Sequence, residues 1–333
     1  LIKTIEKPVI LTLNPDEIDE INGFLEKLAE RYKKADEDQF IRNASIYAHL
    51  LPERVKFFLN EFRLSEDKSA CVIRGYPIDN NEIGLTPSHW KESSVVKSTV
   101  KQEILFVLYS SIIGDIFGWS TEQDGKLIQD ILPIKGDEKK QLNSASEELI
   151  CWHTEDSFQT YAPEFLGLFC LKNFEKAATT FASINSIEIN DKHKKILFEK
   201  RFIIKPDNAH QIQNNTIVND FSTPKAIKTS VLFGSKDAPY LRIDPYFMDR
   251  TQETSDEKEA LDHLIEEFNK VIVDVVLQPG DAFFVDNFRA IHGRKPFYAK
   301  YNGDDRWLKR VRIARDLRKS RSQRNSENDR IIK

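Results

Sequence analysis

An α+β fold, with a β-sandwich or jelly-roll core buttressed by helices, is expected for this 333-residue chain. The N-terminal third carries long helical patterns. From about residue 125 the texture changes to short apolar runs separated by turn residues, the signature of strands. Within that β-rich part a single strong helical pattern stands out. The composition, 40% hydrophobic, supplies a sizeable core without disulfide staples.

Taken in order, "NPDEIDEINGFLEKLAERYKK" (14–34) opens on an Asn-Pro cap signal and keeps apolar residues at helical spacing. "LPERVKFFLNEF" reads as a second helix and "ACVIRGYPI" (70–78) as a buried strand. "KSTVKQEILFVLYSSIIGDIFGW" (97–119) predicts one long, largely buried helix. "KLIQDILPI" (126–134) alternates like a strand, and the polar segment 135–149 that follows predicts a lid. Short strands follow at "FLGLFCLKN", "ATTFASI", "RFIIKP", "TSVLFG", "PYLRID", "VIVDVVLQPGDAFFVDN" and "WLKRVRIAR". The interrupting helix lies at 255–272. One catalytic domain is expected, with a helical part at 1–69, the core at 70–316 and a basic tail at 317–333 read as a solvated helix and frayed end.

The 49 basic and 53 acidic residues nearly cancel, to a formal −4. This gives no general attraction to nucleic acid or anionic membrane. No apolar run is long enough to span a bilayer, and "LIKTIEKPVI" lacks the core of a signal peptide. Cys71, Cys151 and Cys170 form no metal or disulfide pattern, so a reduced, cytoplasmic setting is expected. Homo-oligomerisation is left open.

"CWHTEDSF" (151–158) holds His153 and Glu155 two residues apart, hence on one side of a strand. A satisfied core histidine is the ordinary alternative to a ligand pair. "DNFRAIHGRKPF" offers His292, read as the end of an aromatic strand after a Pro-Gly-Asp turn. Two imidazoles and a carboxylate on one face of a metal form the facial triad of non-haem Fe(II) oxygenases; the same set also fits a catalytic zinc. Arg306, in "DDRWLKRVRIAR", can grip a carboxylate with two parallel hydrogen bonds, as the far end of a 2-oxoacid dicarboxylate requires.

The run "WHTEDSF…APEFLGLFCLKN…AATTFASI", followed by "FGSKDAPYLRID", "LQPGDAFFVDNFRAIHGR" and "DDRWLKRVRI", resembles the clavaminate-synthase-like Fe(II)/2-oxoglutarate dioxygenases. It looks close to the bacterial hydroxylases of free lysine or arginine. The resemblance implies a double-stranded β-helix (jelly-roll) core. It implies Fe(II) on His153, Glu155 and His292, with 2-oxoglutarate and O2 as cosubstrates. Arg306 and Thr179 would hold the distal carboxylate of 2-oxoglutarate, and Arg310 the substrate's α-carboxylate. A carboxylate at 155, where related halogenases have Gly or Ala, favours hydroxylation over chlorination.

Gln129 and the free oxygen of Glu155 are candidates for the substrate amine, and Asp244 for its side chain. Asp244 as a turn residue, Gln129 as plain strand polarity and Arg310 as a surface ion pair are the ordinary alternatives. In the arginine enzymes two acids one residue apart are expected; here the second place is Tyr246. Asp207 is kept in "KPDNAH", but Ala209 stands where serine is common. Both departures favour the point charge of lysine over a planar guanidinium, with hydroxylation at carbon 4 and then carbon 3. Succinate and CO2 would be the coproducts. Arginine or another cationic amino acid, a peptide-tethered residue, a taurine-like sulfonate, and a non-catalytic jelly-roll binding protein are the alternatives.

Overall fold

The computed structural model describes residues 3–92, 97–212 and 227–333. Its principal strands, numbered in chain order over the two main sheets, are β1 (Val9–Thr12), β2 (Ala70–Arg74), β3 (Asp115–Trp119), β4 (Gln129–Ile131), β5 (Ile150–His153), β6 (Phe165–Lys172), β7 (Thr179–Ser183), β8 (Val273–Val275), β9 (Ala282–Asp286), β10 (Ala290–Arg294), β11 (Trp307–Ala314) and β12 (Ile331–Ile332). Among the described residues the α-helices of seven or more residues are α1 (Pro15–Arg31), α2 (Asp38–Tyr47), α3 (Glu53–Leu64), α4 (Val100–Ile113), α5 (Asp191–Leu197) and α6 (Ser255–Val271).

The large sheet runs β1-β2-β9-β6-β11-β3-β12, with β4 also paired to β11; the small sheet runs β8-β7-β10-β5. Their facing sides enclose a core of Val72, Leu168, Cys170, Phe181, Phe283 and Leu308. This is the sandwich of a jelly roll, in which inward residues from both sheets interdigitate. The outer face of the large sheet is covered by α1–α4, and that of the small sheet by α6. β6 is therefore buried along its whole length, and so its sequence reads as a continuous apolar run rather than an alternation.

Local chemistry accounts for the elements. Asn14 and Glu17 close a reciprocal capping box on α1, with Pro15 in the first turn. The apolar pattern of α4 is nearly continuous because the helix is wrapped by α1, α2 and α3. The expected single helix over 97–119 is instead α4 followed by β3. The break falls at Gly114, where a Cβ would lie 2.5 Å from the carbonyl oxygen of Ala314, so only glycine lets the chain turn there and pair with β11. Gly280, at φ +87°, turns the Pro-Gly-Asp corner before β9 with no room for a Cβ beside the Tyr76 carbonyl.

Three further expectations are corrected. α2 was not foreseen between the first two helical patterns. His292 is not at the end of the aromatic strand β9 of the large sheet; it is central in the next strand, β10, of the small sheet. The tail is not frayed: a 3-10 turn at Leu317–Gln323 leads to β12, which pairs in parallel with β3. All three cysteines are free. Among the described residues no helix is long and apolar enough to cross a membrane.

Candidate active site

The site lies between the sheets, with two histidines from the small sheet, Glu155 from the turn after β5, and arginines from the large sheet. His153 on β5 and His292 on β10 are direct register partners, and their ring centroids are 4.7 Å apart. Residues separated by 139 positions in sequence thus meet through strand pairing. The Nε2 atoms of His153 and His292 lie 3.6 and 3.3 Å from the same oxygen, Oε2 of Glu155. Two imidazole nitrogens and one carboxylate oxygen so converge in a donor set that suits a divalent metal with other positions left open. Nδ1 of His153 lies 2.8 Å from the Cys151 carbonyl, a hydrogen bond that fixes the tautomer and turns the Nε2 lone pair toward the site.

Glu155 reaches this point differently from the strand alternation expected. β5 ends at His153, and Glu155 lies in the turn beyond it, where Asp156 takes a left-handed φ of 49°. Asn287 clamps that turn: its Oδ1 accepts from the Glu155 amide at 2.6 Å, and its Nδ2 donates to the Glu155 and Pro163 carbonyls at 3.0 and 2.8 Å. The other carboxylate oxygen of Glu155, Oε1, accepts from Arg310 at 2.8 Å and lies 3.1 Å from Arg312. One oxygen faces the imidazoles and the other faces the arginines. Burial alone would raise the Glu155 carboxyl, but Arg310, both histidines and Arg312 hold it well below the usual carboxylate range.

Arg306, Arg310 and Arg312 share one face of the strand region around β11. Arg312 was not singled out from the sequence, although the same alternation points to it. It bridges Glu122 and Asp156. Asp156 also accepts from the Trp119 indole at 2.7 Å. Against the opposing effect of burial, Arg312 holds the Asp156 carboxyl down to about 2. Glu122 pairs with both Arg310 and Arg312, and no sequence signal marked it. Gln129, expected to meet the substrate amine, instead accepts from Arg310 and Arg312 through Oε1 and so stands behind the arginines.

Two cavities meet at His153, Glu155 and Arg310. The first is lined by Thr179, Arg306 and Arg294, with Leu166, Leu168 and Leu308 as apolar walls. Arg306 is 5% exposed, and no carboxylate among the described residues pairs with it. Burial lowers its basicity to about 10. A buried guanidinium without an ion-pair partner is costly, and an incoming carboxylate would relieve that cost. The second cavity is lined by Asp207, Asp244, Ala209 and Tyr246. Asp244 is also a turn residue, accepting from the amides of Tyr246 and Phe247. Tyr246 is largely exposed and stands at the mouth. Burial raises both acids, Asp207 to about 6. Among the described residues no lysine or arginine forms an ion pair with either.

Segment 135–149 is tied to the body. The Glu138 carbonyl accepts three amides from 146–148, Tyr301 donates to the Glu138 carboxylate, and Arg294 donates to the carbonyls of Ser146 and Glu148.

Residues 102–312 match the family model described as taurine catabolism dioxygenase TauD, TfdA family. The chain is 37% identical to an enduracididine beta-hydroxylase of Streptomyces hygroscopicus, over 97% of this chain and 99% of the relative. It is 39% identical to an L-ornithine/L-arginine 3-hydroxylase of Catenulispora acidiphila, over 92% and 95%. An L-lysine 4-hydroxylase of Chitinophaga pinensis is 30% identical over 90% and 79%. The crystal structure of the non-haem iron oxygenase OrfP with Fe, succinate and (3S)-hydroxy-L-Arg superposes with a TM-score of 0.91 at 36% identity, covering 97% of this chain and 99% of that one. The chain belongs to the TauD/TfdA dioxygenase family and, within it, to the clavaminate-synthase-like, non-haem iron, 2-oxoglutarate-dependent oxygenases.

Proposed function

We propose that this protein hydroxylates a free cationic α-amino acid at carbon 3, with L-arginine, L-ornithine and close guanidino analogues as the first substrate class. The observation that carries this reading is the pair Asp207 and Asp244. Two buried acids line the cavity that reaches His153 and Glu155; His210 acts on Asp207 and His153 on Asp244, but no lysine or arginine among the described residues forms an ion pair with either. A cationic side chain placed between them would pair with both. The preference for lysine rested on Tyr246 standing where a second acid is expected and on Ala209 standing where serine is common. Asp207 supplies a second carboxylate from another segment, which weakens the first of these reasons.

His153, Glu155 and His292 would hold Fe(II). When bound, the ferrous ion supplies O2 activation coupled to decarboxylation of 2-oxoglutarate, so that one oxygen atom enters succinate and the other the product hydroxyl, with CO2 released. The chain supplies binding and orientation. Arg306 and Thr179 receive the distal carboxylate of 2-oxoglutarate, and Leu166, Leu168 and Leu308 keep water from its methylenes. Arg310 receives the substrate α-carboxylate. Because Arg310 also touches Glu155 at 2.8 Å, that anchor is close to the metal. Carbons near the carboxylate are then presented first, which favours carbon 3 over carbon 4. The two relatives at 37% and 39% identity, a beta-hydroxylase and a 3-hydroxylase, support the same carbon.

Lysine hydroxylated at carbon 4 is the second reading, favoured by Tyr246 at the cavity mouth. The test is a panel of arginine, ornithine, lysine, enduracididine and the uncharged asparagine with Fe(II), 2-oxoglutarate and O2. Mass spectrometry reads the gain of one oxygen atom, and NMR reads the carbon. Preferred turnover of lysine would overturn the first reading, and product from an uncharged amino acid at comparable efficiency would overturn both.

A further inference from the structure

Arg294 lines the same chamber as Arg306 and Arg310, and the mechanism above does not use it. It is 5% exposed and lies two residues past His292 on β10, opposite Thr179 in register. Nη1 donates to the carbonyls of Ser146 at 2.8 Å and Lys295 at 3.0 Å; Nη2 donates to that of Glu148 at 3.1 Å. The guanidinium also lies over the Phe297 ring, 5.1 Å from its centroid. Two of its three acceptors belong to the segment 135–149.

That segment matters because of Asn143. Three residues before Ser146, Asn143 lines the cosubstrate chamber, the substrate cavity and the larger neighbouring cavity beside Trp90 and Glu122. It sits where the two working cavities meet. The turn that follows it is held by Arg294, through the carbonyls of Ser146 and Glu148, and by the Phe297 amide, which also donates to the Ser146 carbonyl. A fork with five donors can bridge several carbonyls at once while keeping its charge toward the chamber; a lysine ammonium keeps the charge but not the bridge.

We propose that Arg294 is a positioning residue with two separable effects. It adds a further positive charge to the cosubstrate chamber beside Arg306 and Arg310, and it fastens the 143–148 turn across the junction of the two cavities. The tether so keeps 2-oxoglutarate turnover coupled to substrate hydroxylation. The coupling part rests on the reading of the chamber as the 2-oxoglutarate site; the tether does not.

The test compares wild type, Arg294→Lys and Arg294→Gln in three measurements. The first is limited proteolysis within 135–149, without metal or cosubstrate. The second is the 2-oxoglutarate concentration that half-saturates the visible absorption of the anaerobic Fe(II) complex. The third is the ratio of succinate to hydroxylated product. Both variants should be cut on the order of tenfold faster within the segment, as expected when the fork that closes a loop is lost. Arg294→Lys should keep half-saturation within about threefold of wild type but release several succinates per product, whereas Arg294→Gln should be impaired in both. Unchanged cleavage in Arg294→Lys, or a succinate-to-product ratio equal to wild type in both variants, overturns the proposal. Wild-type protein that shows no 2-oxoglutarate-dependent absorption overturns the chamber reading instead, and the proteolysis result then still decides the tether. If Arg294→Gln fails to fold, Arg294→Lys still decides the tether and its coupling, and Arg294→Met takes the place of the glutamine variant for the charge.

Discussion

Replacing Arg306 by methionine separates a binding residue from a structural one. The guanidinium is 5% exposed and forms no ion pair with a carboxylate among the described residues, the influence of Glu175 being smaller than that of burial. Burial draws it from the usual 12.5 down to about 10, equivalent to a burden of about 3 kcal/mol on the folded, ligand-free protein. Because the folded value is the lower one, that burden is present at all pH values below about 10. Methionine keeps most of the apolar stem at similar length and removes the charge. The ligand-free variant is therefore expected to melt at or above the wild-type temperature. Loss of a buried charge partner for the ligand carboxylate should weaken 2-oxoglutarate by about 2–5 kcal/mol, roughly 30-fold to a few thousand-fold. Melting curves with and without 2-oxoglutarate, under anaerobic Fe(II), read both effects. A ligand at about 100 times its Kd adds about 2.7 kcal/mol to wild type, and the variant should show no such gain. A ligand-free variant destabilised by more than about 2 kcal/mol, or one that still binds 2-oxoglutarate like wild type, would refute the argument.

Other outcomes follow from the same geometry. Burial holds Asp207 up to about 6, so its ionisation opposes folding as pH rises from the ordinary carboxylate range through that value. A cationic substrate reverses this penalty. Its kcat/KM should therefore climb between about pH 5 and 7, and Asp207→Asn should flatten that rise and increase KM by roughly tenfold or more. His153→Ala removes one of three converging donors and should abolish the visible absorption of the anaerobic Fe(II)–2-oxoglutarate complex while the protein remains folded by circular dichroism. Asn287→Ala breaks three buried hydrogen bonds around the Glu155 turn. It should lower stability by about 2–3 kcal/mol in urea unfolding and weaken metal binding although no ligand is altered.

The parts of the fold that were legible in the sequence are those where local pattern and tertiary context agree. α1 carries its own cap and amphipathic stripe, and β6 and β9 announce themselves by length and apolarity. The boundary between α4 and β3 was hidden, because a helix buried all round and a buried strand share one composition; only Gly114 marks the change. His153 and His292 were singled out by residue type and resemblance, and strand register explains their meeting. Glu155 was expected beside His153 by strand alternation, but a left-handed turn and Asn287 bring it to the two imidazoles instead. Arg312 was within reach of the alternation that identified Arg310. Glu122 was not, because a loop acid becomes a partner for two arginines only through tertiary packing.

β12 changes what the last residues mean for handling this protein. β3 would otherwise present a row of open amides and carbonyls at the rim of the large sheet. The two residues Ile331 and Ile332 cover it, and Ile332 is buried beside Phe117 and Trp119. So short a border strand is a poor template for further pairing. Shortening the chain by a few residues would strip that seal and leave a sticky rim, so that self-association growing with concentration, rather than any loss of chemistry, would be its first sign.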